Sequence, residues 1–85
     1  MPEILIYTST ICPYCIMAKR LLENKALSYK EINVDADPEL LRLMMRRTQR
    51  RTVPQIYIGD RHIGGFNELY ALEHNNELDA LVAAS

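Results

Sequence analysis

Cys12 and Cys15 are the only cysteines in the chain, and Pro13-Tyr14 separates them. Two thiols at this spacing can attack a disulfide, close one between themselves and be reopened by a reductant. Thiol–disulfide exchange is therefore the leading chemistry. The pair follows an apolar stretch, Ile4-Leu5-Ile6-Tyr7, and opens a run with helical character, Ile16 to Asn24. Three blander readings compete. A zinc site needs about four ligands, and beyond the cysteines the chain offers only His62 and His74, whose spacing fits no usual finger. A permanent disulfide across so small a loop is unfavoured in a reducing cytosol. Two inert core cysteines leave the Pro-Tyr between them unexplained.

The elements that must position this pair come from a chain of 85 residues, enough for one domain, residues 1–85, with a limited core. The 48% apolar and 25% charged content is that of an ordinary globular chain. A net charge of -1 gives no reason to expect nucleic acid or a membrane surface as partner. No apolar run approaches a bilayer span. Met1-Pro2-Glu3 lacks the basic start of a secretory signal, so the expected location is the cytoplasm.

Residues 3 to 7 read as a buried strand and Thr8 to Cys12 as a loop. Pro13 suits the first turn of a helix, where its missing N–H costs nothing. That helix carries Ile16, Met17, Leu21 and Leu22 as its apolar side and ends near Asn24-Lys25. Residues 29 to 34 alternate as a second strand. Asp37-Pro38-Glu39 starts a second helix with a capping carboxylate, Pro at the first position and an acid in the first turn. Leu40, Leu41, Met44 and Met45 form its stripe. Thr52-Val53-Pro54 leads into a third strand, Gln55 to Ile58, and Gly59-Asp60 turns into a short fourth strand, Arg61 to Ile63. Gly64-Gly65 breaks the chain before a helix from about Asn67 through His74. Asn75-Asn76 interrupts it, and Glu77 to Ala84 add a short terminal helix. The order β-α-β-α-β-β-α predicts an α/β fold. Its first βαβ unit is parallel and right-handed, and a hairpin adds antiparallel strands to the same sheet.

Cys-Pro-Tyr-Cys after a first strand, Thr-Val-Pro before a third and Gly-Gly before the last helix together resemble the dithiol glutaredoxins, most closely the small bacterial type. The similarity runs from Ile4 to about Leu81. The resemblance implies a thioredoxin-like fold, with a four-stranded mixed sheet flanked by helices. It also implies an enzyme that uses glutathione, as reducing co-substrate and without a tightly bound cofactor, to reduce disulfides and glutathione mixed disulfides.

Within that reading Cys12 and Cys15 are the catalytic residues and take unequal roles. Cys12 sits at the N-cap side of the first helix, where unpaired N–H groups and the positive dipole end favour a thiolate. Pro13 has no N–H, so Tyr14 and Cys15 should be the donors. Cys15 lies one turn in, less exposed and less acidic. Cys12 therefore attacks and Cys15 resolves. Tyr14 should lie beside the thiol and shape a glutathione groove. For Thr52-Val53-Pro54, a trans proline opening a strand is the common arrangement. The resemblance implies instead a cis Val53–Pro54 bond, which turns the Val53 backbone outward to pair with glutathione in strand-like fashion. Gly64-Gly65 reads either as a plain turn or, as in glutaredoxins, as the site that holds the γ-glutamyl carboxylate against a helix start. There Gly65, Phe66, Asn67 and Glu68 are the expected contacts, with Asn67 as helix cap and Glu68 near the ligand's ammonium.

Two departures from the family stand out. No basic residue precedes Cys12, where many members carry a lysine, and Gln49 stands where many have glycine. Arg42, Arg46, Arg47, Arg50 and Arg51 crowd ten residues before the clamp. Most read as a solvated helix face, with one arginine expected to pair with a glutathione carboxylate. Tyr7, Tyr29, Tyr57 and Tyr70 read as packing residues with wet hydroxyls. The expected partners are glutathione and disulfide-bearing or glutathionylated proteins, ribonucleotide reductase among the candidates, met by a monomer that holds no metal. Two alternatives remain: a thioredoxin-like donor recharged by a flavoprotein reductase, and an iron–sulfur module held between two subunits by Cys12 and glutathione.

Overall fold

A computed structural model describes residues 2–83. Four strands form one sheet in the order β2-β1-β3-β4. They are β1 (Ile4–Thr8), β2 (Lys30–Asn33), β3 (Gln55–Ile58) and β4 (Arg61–Gly64). β1 and β2 run parallel, joined across helix α1 (Pro13–Asn24), and β3 and β4 are antiparallel to their neighbours. Helix α2 (Pro38–Thr48) precedes β3, and α3 (Phe66–His74) and α4 (Leu78–Ala83) close the chain. The expected end of α4 at Ala84 lies outside the described residues. The α/β, thioredoxin-like class expected from the sequence is the one observed.

The two central strands are buried on both faces, as a sheet covered by helices on each side requires. Because side chains alternate, Ile4, Ile6, Ile56 and Ile58 share one face with Ala18 and Leu22 of α1, Leu69 of α3, and Leu78 and Val82 of α4. Tyr7 and Tyr57 point the other way, onto Val34 and Met44. The register Ile6↔Ile56 and Tyr7↔Gln55 keeps the two sets apart.

Helix ends follow local chemistry. The Asp37 carboxylate accepts from the Glu39 N–H at 2.9 Å, with Pro38 as the first helical residue. Gln49 stands where glycine is common and adopts the left-handed conformation itself, at φ 59°. Its side-chain amide donates to the Arg46 carbonyl at 2.7 Å, and the tertiary structure around it holds the turn.

Three expectations are corrected. The buried face of α1 is Cys15, Ala18 and Leu22, while Ile16 and Met17 are exposed. The reason is that the face is set by where Cys15 must enter the protein, and residues one and two positions on point away. On α2 the inward residues are Met44 and Thr48, and Leu41 faces out. β2 stops at Asn33, whose side chain accepts from the Asp35 N–H at 2.8 Å and starts a 3-10 turn, Val34–Ala36, so Tyr29 and Val34 lie outside the strand.

Candidate functional site

The C-terminal end of β1 delivers the chain through residues 9–11 to Cys12, the N-cap of α1. That loop is tied down from β2's end. The Thr10 N–H donates to the Asp35 carboxylate at 2.7 Å, and the Asn33 amide reaches the Thr10 hydroxyl. Cys12 has extended backbone angles, and its Sγ accepts from the Cys15 N–H at 3.0 Å. Of the two donors expected, only Cys15 makes this bond. An N-cap sulfur so bonded is where an anion is favoured, through a direct N–H and the helix dipole. Cys12 and Cys15 are joined as a disulfide with Cα atoms 5.1 Å apart. Cys12 keeps 8% of its surface and Cys15 only 1%, so an incoming sulfur reaches Cys12.

Beside Cys12 runs an open groove of about 240 Å³. All eight residues that the sequence nominated for glutathione line it: Tyr14, Thr52, Val53, Pro54, Gly65, Phe66, Asn67 and Glu68. The Val53–Pro54 bond is cis. The Val53 carbonyl oxygen stands 3.7 Å from Cys12 Sγ, and its N–H has no acceptor among the described residues. A larger cavity of about 400 Å³ lies at the other end of β1, between Glu3, Leu27 and Val82, away from the cysteines.

The floor of the groove rests on a residue that the sequence reading missed. Gln55 is 1% exposed, and its amide nitrogen donates to the Thr52 carbonyl at 3.0 Å and the Thr52 hydroxyl at 3.3 Å. Its oxygen then accepts from His62 Nε2 at 2.8 Å, which fixes the proton on that ring nitrogen. Burial lowers the pKa of His62, and the Arg50 charge adds to the effect. One signal was available: a lone amide opening the otherwise apolar strand Gln55-Ile-Tyr-Ile58. Replacing Gln55 with leucine should cost about 1–3 kcal/mol, because the Thr52 carbonyl and the His62 N–H lose a buried partner. Urea unfolding measures this, and an unchanged midpoint would show that the amide holds nothing.

Across the groove, Gly65 is the N-cap of α3 and Glu68 is its third residue. The Glu68 carboxylate reaches back to accept the Gly65 N–H at 2.7 Å and pairs with Arg50 at 3.1 Å. The expected cap at Asn67 is corrected: the N-cap is Gly65, Asn67 is the second helical residue, and the bond back to the N-cap comes from Glu68. Gly64, at φ 116°, admits this return, because a Cβ there would fall on the Glu68 carboxylate. The Gly65 N–H chiefly, helped by Arg50, holds the Glu68 carboxyl below its ordinary 4.5 against the opposing effect of burial. A depressed carboxylate pKa stabilises the fold above the unfolded value and loses that contribution as pH falls through the folded one. Wild type and Glu68→Gln should therefore differ in urea midpoint at pH 7 and converge once pH has fallen through the depressed Glu68 value. A difference that persists in acid would place the effect elsewhere.

The arginine cluster divides. Arg42 pairs with Glu39, and Arg50 enters the groove. Arg47 stays exposed but lays its guanidinium 3.8 Å from the Tyr57 ring centre and donates to the Tyr7 hydroxyl. The Tyr57 hydroxyl donates to the Arg47 carbonyl, so these two tyrosines are bonded within the protein rather than wet.

The family model described as Glutaredoxin matches residues 4–63. A glutaredoxin of Pseudomonas aeruginosa is 49% identical over 84 residues, 99% of this chain and 100% of its own length. Among solved structures, a Brucella melitensis glutaredoxin superposes with a TM-score of 0.86 at 48% identity, over 96% of this chain and 89% of that one. A buckwheat glutaredoxin in complex with glutathione superposes at 0.88 with 25% identity, over 95% and 76%. A redox pair at the start of α1, on this fold and with these relatives, has one consistent reading: the chain belongs to the glutaredoxin family of thiol–disulfide oxidoreductases.

Proposed function

We propose that the protein reduces glutathione mixed disulfides with Cys12 alone and protein disulfides with Cys12 and Cys15 together. The observation that carries this is Cys12 Sγ, capped by the Cys15 N–H and 3.7 Å from the carbonyl oxygen of Val53, which lines the groove. In the first reaction the Cys12 thiolate attacks the glutathione sulfur of a mixed disulfide. The substrate thiolate leaves and takes a proton from water, and glutathione stays on Cys12. A second glutathione thiolate attacks that glutathione sulfur, giving oxidised glutathione and restoring the Cys12 thiolate. In the second reaction Cys12 attacks a protein disulfide. Cys15 then attacks Cys12 Sγ, releases the reduced protein and leaves the disulfide seen in the structure.

The groove residues supply the binding. The Val53 N–H and C=O pair with the peptide backbone of glutathione as a short strand would. The first N–H groups of α3, at Phe66 and Asn67, have no acceptor among the described residues and receive the γ-glutamyl carboxylate. Arg50 takes the other carboxylate, in place of the lysine that the chain lacks before Cys12. Glu68, held by Gly65 and Arg50, orients that arginine and faces the ligand's ammonium. Tyr14 and Thr52 wall the groove and Pro54 sets its edge. No tightly bound cofactor enters either reaction.

Such a pair turns over only where a reducing glutathione pool reopens it, which calls for the cytoplasm. No helix among the described residues is long and apolar enough to cross a membrane. The partners of this reading are glutathione and glutathionylated or disulfide-bearing proteins, ribonucleotide reductase among them, met by a monomer. A coupled assay with glutathione, glutathione reductase and NADPH on a small glutathione mixed disulfide tests it. NADPH consumption that requires Cys12 is expected, and none would overturn the proposal.

A further inference from the structure

Aromatic rings continue the active site along the surface. Tyr14, between the two cysteines, lies 6.2 Å from Phe66 between ring centres; Phe66 lies 5.9 Å from Tyr70, and Tyr70 stacks on His74 at 6.0 Å. Phe66, Tyr70 and His74 stand four residues apart on one face of α3. Tyr14 and Tyr70 are more than half exposed. Tyr14 and Phe66 belong to the groove, whereas Tyr70 and His74 lie beyond it. Ring pairs along a helix lend it a little support, and Phe66 packs partly on the core where α3 meets α1, but Tyr70 and His74 take no part in that packing.

We propose that this row is the docking strip for the polypeptide of a disulfide substrate, taking an extended segment with aromatic or apolar side chains beside its reacting cysteine. The inference rests on the function proposed above. A chain linked through sulfur to Cys12 must leave across the adjoining surface, and the row begins there. Alternate side chains of an extended segment stand about 6.8 Å apart on one face, close to the ring spacing of 5.9–6.2 Å. From Phe66 to His74 the helix rises about 12 Å, the reach of about four extended residues. The flanking carboxylates make no call for a basic partner, because Glu68 is paired with Arg50 and Glu73 with Lys25. A second copy of the chain fits less well, since a stable dimer buries about 800 Å² per partner and four side chains supply only part of that.

The test titrates the oxidised full chain, followed by NMR, with an eight-residue peptide. In it serine replaces the reacting cysteine, and phenylalanines stand two and four residues away. Shifts at Tyr14, Phe66, Tyr70 and His74 are expected. The double variant Tyr70→Ser, His74→Ser should bind about five-fold more weakly, the loss that two ring contacts allow, and Tyr70→Phe should bind like wild type. With the cysteine restored and glutathionylated, KM for the peptide should rise about five-fold in the double variant while turnover of a small glutathione mixed disulfide stays unchanged. Equal losses on both substrates, peptide shifts elsewhere, or unchanged affinity in the double variant would overturn the strip. Self-association that the double variant abolishes would assign the row to a second copy and also overturn it. Absence of wild-type turnover on the small substrate would overturn the proposed function instead, while the titration still decides the strip.

Discussion

Cys12→Ser should reduce turnover of a small glutathione mixed disulfide to background, a loss on the order of 10³-fold or more, as removal of a nucleophile does elsewhere. Cys15→Ser should keep that activity within a few-fold. A serine hydroxyl does not ionise under these conditions, and the helix N-terminus that favours a thiolate cannot close so large a gap. Cys15 contributes something else at this step. Its backbone N–H caps Cys12 Sγ, and a serine at the same position retains that N–H. The side chain of Cys15 is 1% exposed and cannot meet a bulky disulfide first. On a protein disulfide the variants should converge, because without the second thiol the mixed disulfide with Cys12 waits for glutathione. Measuring both substrates with both variants separates the roles. Full activity of Cys12→Ser on either substrate, or equal loss of the small substrate in both variants, would refute the assignment.

Gly64→Ala should be the most damaging single-methyl change outside the cysteine pair. At φ 116° an L-residue is strained, which costs about 1–3 kcal/mol. The added Cβ also falls on the Glu68 carboxylate, which must swing away. That frees the Gly65 N–H and releases Arg50, so one methyl group removes the helix cap and one wall of the groove together. The expected result is a urea midpoint lowered by that strain and a KM for glutathione raised about ten-fold, the size of one lost charge-assisted contact. Adding Glu68→Ala to Gly64→Ala should relieve the overlap and leave the backbone strain, so the stability loss should shrink without vanishing. A midpoint equal to wild type in Gly64→Ala would show that the backbone relaxes freely there.

How much of this was legible in the chain depends on the range of the determinant. The starts of α1 and α2 were readable because a capping side chain and a proline act within three residues. The β-α-β-α-β-β-α order was readable because each strand and helix carries its own period. Faces were another matter. Ile16 and Met17 looked like core because they are apolar, yet only packing against the sheet decides which third of a helix turns inward. Arg47 read as one of five solvated charges; it is exposed, but it also lies on the Tyr57 ring, a placement made by two tyrosines brought in from two strands. Asn67 looked like a cap, and Glu68 took the task from inside the helix because Gly64 leaves room for its return.

The sequence by itself determined the chemistry, since two thiols three residues apart at a helix start have few other uses, and nearby proline and N–H groups already make them unequal. It also nominated the eight groove residues, through motifs that are contiguous in the chain. Only the tertiary structure decided how those motifs meet: β3 sets Val53 beside Cys12, Gln55 and His62 brace Thr52 from two strands, and Arg50 finds Glu68 across the groove. The physical reason is distance along the chain. An ion pair between residues 18 apart, or a close contact between residues 41 apart, leaves no trace in local pattern, because its geometry exists only once the sheet has brought both ends together.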